Sequence, residues 1–150
     1  MDVTGRKTKP GAVEVALVVL DVFIGIGGVV SGAMLIADPR GGMGMGLEIL
    51  GGSPFKDFVI PGIILLVAVG VFPLVVAGAA LARARWAVLG HVAVSVVLLG
   101  WIVVELLLLG YIGFLQPAVA AYGVVMLGLA LWNRRTANGL GADRPYAERA

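Results

Sequence analysis

Residues 11–37 read GAVEVALVVLDVFIGIGGVVSGAMLIA, an apolar run that is interrupted by two carboxylates, Glu14 and Asp21. About 20 helical residues cross a hydrocarbon core roughly 30 Å thick, so this run predicts a transmembrane helix. Three further apolar stretches follow at about residues 58–82, 87–109 and 117–132. The chain is therefore predicted to be all-α, an integral membrane bundle of four transmembrane helices.

The composition agrees with a membrane protein. The mean hydropathy is +1.04, and only 13% of the 150 residues are charged. Four spans leave no room for a separate soluble domain, so any site must lie in the bundle or in the long loop 38–57. The chain has no cysteine, which excludes thiolate catalysis and cysteine-ligated metals. Because no catalytic, cofactor or nucleic-acid-binding motif is recognisable, we predict a non-enzymatic protein without a cofactor.

The distribution of basic residues predicts the orientation in the membrane. Nine of the 11 Lys and Arg residues fall on one side of the predicted bundle, and the other two lie in the loop 38–57. The positive-inside rule then places both termini, the tails 1–10 and 133–150, in the cytoplasm. The loops 38–57 and 110–116 are expected outside, and the predicted location is the plasma membrane of a bacterium.

The first span carries its carboxylates and three of its glycines on one helical face. At about 100° per residue, five residues project within roughly 60° of one another: Glu14, Asp21, Gly25, Gly28 and Gly32. Glycine lets a second backbone approach closely, and a carboxylate avoids lipid. This face is predicted to point into the bundle, with the three glycines as helix-contact residues.

The third span carries the polar residues His91, Ser95 and Glu105 within roughly 80° of one another on the helical wheel. A charged Asp21 near the middle of the first span costs about 2.5–3.5 kcal/mol on insertion scales. We therefore expect Asp21 either to stay protonated or to pair with His91. Two roles remain open for these four residues: hydrogen bonds that fix helix register, and a proton-linked function.

Two further segments carry local signals. Pro73 lies near the middle of the second span and predicts a kink there. In the loop, Asp38 predicts a turn, and Ser53 before Pro54 predicts the start of a helix. The side chains of Leu47, Ile49 and Leu50 are expected to dip into lipid, and Phe58 to lie at the outer interface.

Met43 and Met45 place two thioethers in the loop, and thioethers suit Cu(I). No histidine or cysteine lies near them in sequence, so we prefer an apolar contact with lipid or a partner. No metal site is predicted.

Several short segments resemble a known group of proteins. They are Asp38-Pro39-Arg40-Gly41, Leu47 with Leu50, Gly52-Ser53-Pro54-Phe55-Lys56-Asp57-Phe58, Ile60-Pro61-Gly62 and Leu115-Gln116-Pro117. This pattern resembles a group of small four-span bacterial membrane proteins of uncharacterised function. The resemblance implies the four-span fold and the outer position of the loop, and it implies no activity.

Two functional hypotheses follow from the sequence. The first is a non-catalytic accessory or assembly subunit, in contact with the lipid bilayer and with another membrane protein or a second copy of itself. Its predicted contact regions are the glycine face of the first span and the loop 38–57. The alternative is a proton-coupled transporter of a small solute, with Asp21 as proton carrier and His91 or Glu105 assisting.

Overall fold

The structure of the protein is a computed structural model that describes residues 11–44, 46–111 and 113–142. Four long helices dominate it: α1 (Ala12–Ala37), α2 (Val59–Leu81), α3 (Ala87–Leu109) and α4 (Leu115–Ala142). Each contains a stretch long and apolar enough to cross a membrane, which indicates a multi-pass membrane protein. The predicted tail 1–10, Met45 and the last eight residues of the predicted tail 133–150 lie outside the described residues.

The predicted spans 11–37, 58–82 and 87–109 differ from the first three helices by at most one residue at either end. The fourth was predicted over 117–132, whereas α4 begins at Leu115 and continues past Trp132 to Ala142. It begins earlier because Pro117 lies in its first turn, where a missing amide hydrogen removes no helical hydrogen bond. The polar residues after Trp132 end the apolar stretch without ending the helix, since helical hydrogen bonds are satisfied internally in water and lipid alike.

The helices pack in a ring in chain order, with α4 closing the ring against α1. One apolar cluster joins the beginning of α1 and α3 to the end of α2 and the middle of α4: Leu17, Val76, Val94, Met126 and Ala130. A second cluster, around Leu35, Leu50 and Phe58, lies at the opposite end. The helices therefore run up, down, up and down. We call these ends the tail end, where α1 begins, and the loop end, where the loop 38–57 lies.

The backbones of α1 and α2 approach each other closely along the buried glycines of α1, which are Gly25, Gly28 and Gly32. A Cβ atom at Gly28 would lie 2.5 Å from the carbonyl carbon of Val69. A Cβ atom at Gly32 would lie 2.6 Å from the backbone nitrogen of Leu66. Only a residue without a side chain fits at these positions, so α2 of the same chain occupies the glycine face.

The second helix is not uniform. Its middle, Leu65–Val71, is π-helical, between α-helical segments at Val59–Ile64 and Phe72–Leu81. Pro73 follows the π segment and has no amide hydrogen to donate to the carbonyl of Val69, four residues earlier. The disturbance that the sequence predicts at Pro73 therefore takes the form of a π-helical segment just before it. Such segments are frequent at functional sites.

The loop 38–57 begins with the predicted turn, in which the Gly41 amide donates a hydrogen bond to Asp38 Oδ1 at 3.2 Å. Two 3-10 turns follow, at Gly42–Gly44 and Leu47–Leu50. The loop is tied back on itself where the Phe58 amide donates to the Pro39 carbonyl at 3.0 Å. These bonds hold the loop as a cover over one end of the bundle.

Two local expectations about this loop are wrong. Ser53 does not begin a helix: α2 begins at Val59, whose amide donates to Asp57 Oδ1 at 3.0 Å. Ser53 Oγ instead accepts a hydrogen bond from the Phe55 amide at 3.3 Å within the loop. Leu50 and Phe58 do not face lipid but are buried against each other, because the open end of a helical ring needs apolar side chains to close it.

Replacing Gly28 by Ala is expected to lower the free energy of unfolding by about 1–3 kcal/mol, because the new methyl group would collide with the backbone of α2. Gly27→Ala is the matched control on the same helix, since a Cβ atom there meets nothing within 4 Å. Equilibrium unfolding of both variants in mixed micelles measures the difference. Equal stability of the two variants would contradict the close packing of α1 on α2.

Candidate functional site

Asp21 on α1 and His91 on α3 meet across the diagonal of the ring. The distance between Asp21 Oδ2 and His91 Nδ1 is 2.6 Å, and the two side chains are 0% and 1% exposed. One hydrogen lies between these two atoms, whichever of them carries it. A contact this short between an acid and a base is strong when the pair is charged. The structure thus joins two residues that are 70 positions apart in the chain.

Ser95 and Tyr122 lie near this pair and bond to the backbone around it. Ser95 Oγ donates a hydrogen bond to the carbonyl of His91 at 2.8 Å, within α3. The Tyr122 hydroxyl, on α4, donates to the carbonyl of Leu20 at 2.6 Å. Since Leu20 adjoins Asp21, the phenol links α4 to the part of α1 that carries the carboxylate.

Tyr122 was not among the residues predicted from the sequence. The signal was available, because a phenol in a membrane span needs a hydrogen-bond partner. The fourth span showed no polar face by periodicity, however, and its partner is a backbone carbonyl that no side-chain pattern reveals.

Each member of the pair keeps one polar atom without a partner. Asp21 Oδ1 and His91 Nε2 are buried and have no hydrogen-bond partner among the described residues. Leaving such an atom unsatisfied costs about 1–3 kcal/mol. Open acceptor or donor positions on both members are compatible with a group that gains and loses protons.

Glu105 is not part of this pair. It lies on α3 nearer the loop end, where Trp101 Nε1 donates a hydrogen bond to Glu105 Oε1 at 2.9 Å. Of the four polar candidates, the structure therefore brings Asp21 and His91 into contact, keeps Ser95 one turn away and separates Glu105 from them. The three candidate glycines, as described above, pack on α2.

A cavity of about 460 Å³ occupies the loop half of the bundle. Ile24 and Leu98 mark its side towards the tail end, and Phe55 and Phe58 lie at its loop end. Ile24 follows Asp21 by about one helical turn, so the cavity lies between the Asp21–His91 pair and the loop 38–57.

The walls of this cavity are mostly apolar. The polar side chains that line it are Ser31, Trp101, Glu105 and Gln116, and none of the described lining residues is Lys or Arg. Gln116 is buried, and its Nε2 donates a hydrogen bond to the Gly110 carbonyl at 3.1 Å. Glu105 is the one carboxylate among the described lining residues, which gives the cavity a single acidic position.

Within the described ranges, no group of three or more His, Asp or Glu side chains could hold a metal ion. Met43 is exposed, and Met45, its predicted partner in the copper hypothesis, lies outside those ranges.

No protein-family model, curated protein or solved structure matches the chain. The resemblance of the loop segments to small four-span bacterial proteins therefore stays a prediction. Function can be argued only from the fold, the buried pair and the cavity.

Breaking the pair on one side is expected to destabilise the protein more than removing both members. Asp21→Leu leaves the His91 imidazole buried without its carboxylate, whereas Asp21→Leu with His91→Leu leaves no polar atom behind. A double-mutant cycle should give a coupling free energy of about 1–2 kcal/mol, the upper range for hydrogen bonds between membrane helices. Equilibrium unfolding in mixed micelles measures it, and additive single effects would show that the contact contributes nothing.

Proposed function

We propose that the protein is a proton-coupled transporter of a small solute, with Asp21 and His91 as its proton site. The supporting observation is the pair itself: an acid and a base in contact at full burial, each with one unsatisfied polar atom. Ionisable residues at membrane depth are expensive and commonly belong to proton relays or solute pathways. The role for the pair is to take up a proton from one side and release it to the other.

The electrostatics of the pair explain how a proton is coupled to a solute. An ionised Asp21 beside a neutral His91 carries one negative charge, and one added proton removes it. Charge interactions are many times stronger in a low-dielectric interior than in water. The protonation state of the pair therefore affects the affinity for any charged solute in the neighbouring cavity.

Movement of the cavity wall is assigned to α2. Leu65 and Val69 of its π-helical segment line the cavity, and Val69 also touches α1 at Gly28. A segment with irregular helical hydrogen bonding next to Pro73 is easier to rearrange than a regular helix. This segment would rearrange when the cavity switches between a state open to one side of the membrane and a state open to the other.

The accessory-subunit hypothesis stays a prediction. Its favoured surface, the glycine face of α1, packs against α2 in the same chain. A partner would therefore have to bind the loop 38–57 or a lipid-facing surface. Crosslinking in native membranes followed by gentle extraction tests this hypothesis: a partner of constant stoichiometry would support it, and recovery of the chain alone would argue against it.

Transport is tested in proteoliposomes with an imposed pH gradient and a panel of cationic, neutral and anionic solutes. Wild-type protein should show pH-driven flux of at least one solute, and Asp21→Asn should reduce it at least tenfold. Asn keeps the size of the side chain and an acceptor for His91, but it cannot carry the proton. Glu48→Gln, a neutralised carboxylate in the exposed part of the loop, is the matched control and should retain full flux. Flux that Asp21→Asn leaves unchanged would end the proposal.

We further propose that the tail end lies in the cytoplasm, which the bias of Lys and Arg supports. Because the chain has no cysteine, Lys56→Cys in the loop and Ala82→Cys between α2 and α3 each give a protein with one exposed thiol. A membrane-impermeant maleimide added to intact cells should label position 56, and position 82 only after permeabilisation. The reverse pattern would invert the proposed orientation.

A further inference from the structure

We infer that the cavity in the loop half of the bundle binds an organic monocation with an apolar body, held by Glu105 and Trp101. This inference deepens the proposed function by naming the class of solute, and its link to transport rests on that proposal. The binding itself depends on the side chains that line the cavity.

The charge of the ligand follows from Glu105. A carboxylate at membrane depth is expected to have a counter-charge or a neutralising proton. The described lining residues include no Lys or Arg, so none of their side chains supplies a positive counter-charge to Glu105. A cationic ligand would supply the counter-charge to the ionised carboxylate, whereas an anionic ligand would meet an acidic group with no Lys or Arg among the described lining residues to offset it.

The position of the carboxylate is fixed by its neighbour. Trp101 Nε1 donates to Glu105 Oε1 at 2.9 Å, which orients the carboxylate and leaves the second oxygen available for a ligand. Both residues line the cavity. An indole ring beside a carboxylate is a favourable setting for an organic cation, because the ring face attracts positive charge.

The apolar body follows from the remaining walls. Phe55, Phe58, Leu65, Val69, Leu98 and Ile102 surround the space with aromatic and aliphatic side chains. The volume of about 460 Å³ lies within the usual range for sites that hold small organic molecules. A small, strongly hydrated inorganic cation would lose its water shell there without enough oxygen ligands to replace it.

The experiment measures equilibrium binding of tetraphenylphosphonium to the purified full chain in lipid nanodiscs, with empty nanodiscs as background. Tetraphenylborate, which has nearly the same shape and the opposite charge, is the control ligand. Wild-type protein should bind the cation saturably and the anion only at background level. Glu105→Gln should weaken cation binding at least tenfold, which corresponds to about 1.4 kcal/mol.

Two further variants separate a loss of binding from a loss of folding. Glu105→Asp keeps the charge on a shorter side chain and should retain part of the affinity. Glu48→Gln removes a carboxylate that does not line the cavity and should bind as the wild type does. Equal cation binding by wild type and Glu105→Gln, or saturable binding of the borate to the wild type, would overturn the inference.

Binding and transport fail separately in this design. A protein that binds the cation through Glu105 but shows no pH-driven flux would refute the transport proposal and leave this inference intact. A protein with Asp21-dependent flux of other solutes but no Glu105-dependent cation binding would refute this inference alone.

Discussion

A hydrocarbon core offers no hydrogen bonds, and the whole molecule is built around that constraint. Backbone groups at membrane depth must pair within their own helix. This explains why each apolar stretch is continuously helical, and why α2 passes Pro73 with a π-helical segment rather than a break. Polar side chains obey the same constraint, so Asp21 and His91 meet each other inside the ring rather than face lipid.

One face of α1 serves both the packing and the polar contact. Towards the loop end its glycines let the backbone of α2 approach to van der Waals distance, which fixes the rotation of α1 about its axis. Asp21 lies on the same face nearer the tail end, and the same rotation turns it towards the interior and His91. The close packing and the buried pair therefore depend on each other, because rotating α1 to release one would also displace the other.

The polar groups of the interior lie at two depths with different surroundings. The Asp21–His91 pair is enclosed at full burial, whereas Glu105 lines a cavity that the loop 38–57 covers. Under the proposed function, the first is a proton site and the second a solute site, and their separation within one low-dielectric region suits coupling through charge. The coupling proposed here would not require the two groups to touch.

The sequence by itself determined the helical class, the bounds of the first three helices to within one residue, and the inward orientation of Asp21, His91 and Ser95. Hydropathy and helical period suffice for these features because the hydrocarbon core is uniformly apolar. A single chain segment can satisfy its backbone hydrogen bonds there only by forming a helix. Local hydrogen bonding at the ends of helices was harder to predict: Asp57, not Ser53, bonds to the first amide of α2, since several nearby side chains competed for that role.

Only the tertiary structure decided which inward-facing groups are partners. It paired Asp21 with His91 and kept Glu105, which accepts a hydrogen bond from Trp101 one turn away in the same helix, apart from that pair. It also brought Tyr122 to the backbone of α1 and buried Leu50 and Phe58 under the loop. A helical wheel gives the direction in which a side chain points from its own helix axis. It gives neither the identity of the neighbouring helix nor the relative position of the two helices along the bundle axis. Those follow from how the glycines of α1 seat against α2, a contact between residues far apart in the chain.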